Sequence, residues 1–184
     1  MQNNNFKKKS LIQWFSEAKF YHSKKNPSKT IEILLKRIFI HLEKINDNKF
    51  IIKSFILCLV CYYEIGKFKE IVDFYETFVF PYKNNFEIVC IVSKTLHNLK
   101  DYEKEIQVLQ NYMDDDYESE LRQAFCSFKN YLLARAYRKI GELNLALEKI
   151  ILSLENGVII KLNMLSKETF NVLKVIKNYN ILHF

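Results

Sequence analysis

Tyr131-Leu132-Leu133-Ala134-Arg135-Ala136-Tyr137-Arg138-Lys139-Ile140-Gly141-Glu142-Leu143, followed by Ala146, Ile150, Ser153 and Leu154, reads as two short amphipathic helices joined by a glycine turn. Leu133, Ala134 and Tyr137 fall at i, i+1 and i+4 ahead of Gly141, and Ala146, Ile150 and Ser153 fall at i, i+4 and i+7 behind it. Helical spacing puts each set on one face. Small Ala134 and Ala146 allow two helix backbones to approach closely, and Tyr137 and Ile150 fill the space around that contact.

The pattern returns along the chain. Gly66 follows Tyr62 by four residues and precedes Phe68, Ile71, Tyr75 and Phe78. Thirty-four residues on, Lys100 takes the glycine's place, with Leu96 before it and Tyr102, Glu105, Leu109 and Tyr112 after. From Lys100 to Gly141 the step is seven residues longer, the excess lying around Asp114-Asp115-Asp116-Tyr117-Glu118-Ser119-Glu120 as an extended helix or a loop insertion. An earlier unit runs Leu11 to His22, turns at Asn26-Pro27-Ser28 and continues from Thr30 to Ile45 with Ile31, Leu35 and Ile38 on one stripe.

These residues resemble the tetratricopeptide repeat (TPR) family, whose pattern is an apolar or aromatic residue, Leu, a small residue, Tyr, a turn Gly, then small, aromatic and small residues. Ile71 and Glu105 depart from it at the small position of the second helix, and no unit has the closing proline. The resemblance implies an all-α, right-handed α-solenoid forming a single domain over residues 1–184, with helix pairs at about 10–50, 52–85, 86–119 and 127–160. Such an array needs a polar cap at its ends. Residues 166–180, with Phe170, Leu173 and Ile176 on one stripe, read as that capping helix.

Composition agrees. The 184 residues are 49% hydrophobic and 15% aromatic, with only 3 Gly and 2 Pro to interrupt helices, and no alternating strand pattern is present. The longest apolar run, Phe55 to Tyr63, is bounded by Lys53 and Glu64 and is far short of the roughly 18 to 20 residues of a spanning helix. Ser16 and Glu17 interrupt the N-terminal apolar stretch that follows Lys7-Lys8-Lys9, and no export signal or tail anchor is expected. The expected location is cytoplasmic.

Net charge is +7, and the first fifty residues hold eleven Lys and Arg against four acids, so the remainder is neutral. The excess is local, and the accompanying wealth of Asn, Lys, Ile, Phe and Tyr is the composition of an A+T-rich genome. This argues against nucleic acid as a partner. Cys58-Leu59-Val60-Cys61 is a C-x-x-C, but Cys90 and Cys126 stand alone and no strand-to-helix redox context surrounds it. Free cysteine packs as a small hydrophobe, so the expectation is no metal and no cofactor. His22, His41, His97 and His183 have no regular ligand spacing, no Gly-rich phosphate loop exists and the acidic run lacks the EF-hand order, so no catalytic residues are assigned and no enzyme is expected.

By the family's register the first helix of each pair would present Lys53, Ile56, Val60 and Tyr63, then Glu87, Cys90, Lys94 and His97, then Phe128, Tyr131, Arg135 and Arg138 to a concave groove. Arg135 and Arg138, three apart, could address one acidic or phosphorylated segment. The five-residue clamp by which TPR co-chaperones hold a C-terminal carboxylate is absent, with Leu57, Glu87 and Ile91 at three of its positions. The first reading is an adaptor or scaffold mediating protein-protein interaction through that groove. The second is a structural subunit, or a homo-oligomer, packing through its ends or convex face, for which Trp14 and Phe15 speak. The third is an RNA-associated helical repeat, supported by the basic segment alone.

Overall fold

The computed structural model describes the backbone of residues 3–82, 84–112 and 119–155, and the side chains of those residues apart from 3–10, 119–122 and 124. The capping helix expected over 166–180 lies outside the described residues. The chain is all-α: α1 Asn3–Ser23, α2 Pro27–Ile33, α3 Asn48–Glu64, α4 Phe68–Phe74, α5 Phe86–Leu99, α6 Tyr102–Gln110, α7 Ser119–Lys139 and α8 Leu143–Glu155. It divides into two compact units, Met1–Thr95 and Leu96–Phe184, with the boundary inside α5. The extra residues after the third pair are at least in part an extended helix, since α7 already begins at Ser119.

Four tight turns join α1 to α2, α3 to α4, α5 to α6 and α7 to α8. Each turns on one residue in the left-handed region: Lys25 at φ 55°, Gly66 at 72°, Lys100 at 62° and Gly141 at 86°. The same pair of hydrogen bonds closes all four. The residue after the turn donates its N–H to the carbonyl five back (Asn26 to Tyr21, Lys67 to Tyr62, Asp101 to Leu96, Glu142 to Tyr137), and the turn residue donates to the carbonyl three back. This is the Schellman closure, which satisfies the last carbonyls of the first helix. Asn26 and Asp101 then cap the second helix with a side-chain oxygen, accepting from the Lys29 and Lys104 N–H groups.

Counting from these turns gives equivalent buried positions, which form the helix crossing in the first and last pairs. Seven residues before them stand Ala18, Leu59, Ser93 and Ala134, and five after stand Thr30, Ile71, Glu105 and Ala146; all eight side chains are 0% exposed. In the first unit the Thr30 hydroxyl donates to the Ala18 carbonyl at 3.2 Å, a distance only a close backbone approach allows. In the second, Ser127 and Ser153 bind α7 to α8 reciprocally, Ser127 Oγ donating to the Ser153 carbonyl at 2.7 Å and Ser153 Oγ to the Ser127 carbonyl at 2.8 Å.

The second helices of the first unit are not α-helical throughout. α2 continues into a π turn, Leu34–Ile38, and a 3-10 segment, Phe39–Lys44; α4 continues into a π turn, Tyr75–Val79, and a 3-10 segment, Phe80–Tyr82. A π turn takes an extra residue, so the buried stripe slips by one. It runs Thr30, Leu34, Ile38 and Ile71, Tyr75, Val79, all buried, whereas Leu35 is half-buried and Phe78 is 46% exposed. This corrects the expected Ile31-Leu35-Ile38 and Ile71-Tyr75-Phe78 stripes. Rings from successive helices fill the resulting core: Phe39 lies 5.1 Å from Phe55 and 5.4 Å from Phe74, and Phe55 and Phe74 meet edge-on at 5.7 Å. Trp14 stacks on His41 and Phe15 meets Phe50 edge-on, so both are engaged in internal contacts.

Candidate functional site

The helices α3 and α7 are buried on one side only. On α3, Ile51, Ser54, Phe55, Cys58, Leu59 and Cys61 are buried, while Ile56, Val60 and Tyr63, at i, i+4 and i+7, stay half-buried along one stripe with Lys53 exposed beside them. Lys94 on α5 is exposed and Cys90 half-buried. In the second unit His97, Phe128, Tyr131, Arg135 and Arg138 are half-buried, and the rings of Phe128 and Tyr131 lie 5.9 Å apart. All twelve residues placed on the groove by register therefore keep accessible surface.

Their charges are another matter. Glu105 is 0% exposed and sits at the buried position occupied elsewhere by threonine, isoleucine or alanine. A buried carboxylate is expensive unless paired and hydrogen-bonded. Its Oε2 lies 2.8 Å from His97 Nδ1, and its Oε1 accepts from Arg135 Nη2. Arg135, a groove position by register, is 15% exposed and pairs with Glu105, whose carboxylate is shut off from solvent.

A second grouping was not foreseen. His22 from the last turn of α1 and Cys61 and Glu64 from the last turn of α3 bring a ring nitrogen, a sulfur and a carboxylate oxygen to within 4.8 Å of one another. His22 Nε2 is 3.1 Å from Glu64 Oε1, Cys61 is buried, and His22 and Glu64 remain accessible. Burial pushes the Cys61 thiol up to about 12, with the Glu64 charge adding to the effect and a hydrogen bond with Thr30 opposing it. Cys58, one turn earlier, is also raised by burial. The signal for His22 is its register: it stands three residues before its turn, as Tyr63, His97 and Arg138 do before theirs. Among the described residues no helix is long and apolar enough to cross a membrane.

No protein-family model matches the chain, and no curated protein matches it. Among solved structures it is similar to the MamA RS-1 ArsTM double mutant, with a TM-score of 0.62 and 11% sequence identity over 92% of this chain and 96% of that chain. MamA is a TPR-containing protein, so the likeness shows a TPR-like, all-α helical-repeat fold.

Proposed function

We propose that this chain is a non-enzymatic protein-interaction module whose first helices receive an extended or helical segment of a partner protein. The observation that carries the reading is the accessible apolar stripe Ile56, Val60 and Tyr63 on α3, one side of a helix whose other side is core. Phe128 and Tyr131 on α7 offer a comparable aromatic surface in the second unit. Amphipathic partners use such i, i+4, i+7 anchors. With Arg135 held by Glu105, apolar and aromatic contacts rather than a paired-arginine anchor select the partner, so an acidic or phosphorylated segment is the less favoured class.

A photo-crosslinking residue introduced at Val60 or Phe128, with exposed Asp73 on α4 as the control position, tests this in the source cells. The expected result is adducts with a distinct protein from Val60 and Phe128 and none from Asp73. Adducts only with a second copy of this chain would replace the adaptor reading by the structural-subunit one, which exposed Ile40, Phe78 and Phe80 on the second helices favour.

A further inference from the structure

From the convergence of His22, Cys61 and Glu64 we infer a site for one zinc-class divalent cation in the first unit, with three protein ligands and a fourth position open to solvent. The donors are borderline nitrogen, soft sulfur and hard oxygen, the mixed set that selects zinc over calcium or magnesium, which take oxygen alone. Cys61 and Glu64 are three apart on α3 and so share a face, and His22 faces them from α1. Donors bound to one tetrahedral zinc lie about 3.3 to 3.8 Å apart, given bond lengths of about 2.0 to 2.3 Å. The present separations are 3.1 Å for His22 to Glu64, with all three donor atoms within 4.8 Å of one another.

An ordinary hydrogen bond accounts for His22 with Glu64, and packing accounts for a buried cysteine. The buried sulfur lies beside that pair, whose side chains are 32% and 44% exposed. The exposed pair provides the entry path and the buried sulfur the floor. On binding, the Cys61 thiol releases its proton to solvent as the metal–sulfur bond forms. His22 binds through Nε2 with its ring proton on Nδ1, and Glu64 exchanges its hydrogen bond with His22 for a bond to the ion. The site is distinct from the C-x-x-C reading of the sequence: Cys58 takes no part in it.

The test uses the full chain, reduced and metal-free, titrated with cobalt(II) as an optical stand-in and then with zinc. Expected is one equivalent bound, a thiolate-to-cobalt charge-transfer band, displacement by zinc and a melting temperature that rises with zinc. C61S should abolish the band while C58S retains it. Because Cys61 is buried and its variant could unfold, H22Q and E64Q at accessible positions carry the same test. Each should weaken binding by tenfold or more, since even a lost ligand-orienting partner costs about 10- to 100-fold. Absence of a thiolate band at one equivalent, a band dependent on Cys58, or unchanged affinity in H22Q overturns the assignment.

Discussion

Glu105 occupies a buried position where the other pairs place a threonine, an isoleucine and an alanine, and the chain accommodates it by turning His97 and Arg135 inward. Removing one partner of a buried pair leaves an uncompensated charge, so Arg135→Leu should destabilise by about 3 to 5 kcal/mol in chemical unfolding. Adding Glu105→Ala, which restores the small residue of the last pair, should recover a large part of that loss. Additive effects would show that the two side chains do not act as a pair. At the third turn Lys100 adopts φ 62°, a conformation that costs an L-residue roughly 1 to 2 kcal/mol. Glycine relieves the strain and returns part of the gain as chain entropy, so Lys100→Gly should raise the melting temperature slightly. Gly141→Ala, with no atom within 4 Å of the added Cβ, should lower it through backbone strain alone.

At the scale of elements, the two π turns decide which residues of the second helices reach the core. Periodicity reads Phe78 as the buried member of its stripe, whereas the structure buries Val79 at 0% and leaves Phe78 46% exposed. Truncation measures the difference. Val79→Ala should cost about 2 kcal/mol, and Phe78→Ala should cost less despite the larger side chain, because a half-exposed ring forfeits little burial. The reverse order in urea unfolding would mean a regular α-helix through Tyr75–Val79. α7 and α8 contain no such turn, and there the i, i+4, i+7 stripe of Ala146, Ile150 and Ser153 is buried as the spacing predicts.

For the molecule as a whole, buried acid-type groups set an alkaline limit on stability. Burial raises the Cys58 thiol above its ordinary value of 9.0 and the Tyr75 hydroxyl above 10.0. The folded chain therefore keeps protons that the unfolded chain releases: the stabilisation is complete below about pH 9 and is lost as pH climbs beyond it. Melting temperature should hold from about pH 7 to 9 and fall above, with alkylation of Cys58 negligible until unfolding; a flat profile to about pH 11 would contradict this burial. The all-α class, the two glycine turns and the last helix pair follow from the sequence alone, because helix periodicity, small residues at a crossing and glycine in a left-handed turn are local physics. So does the accessible stripe of Ile56, Val60 and Tyr63, the complement of a buried face at helical spacing. The π-turn slip, the internal fate of Arg135 and the meeting of His22 with Cys61 and Glu64 are decided only by tertiary structure. Each depends on what lies opposite a residue in space, a buried carboxylate or a neighbouring helix end, and spacing along one chain carries no record of that.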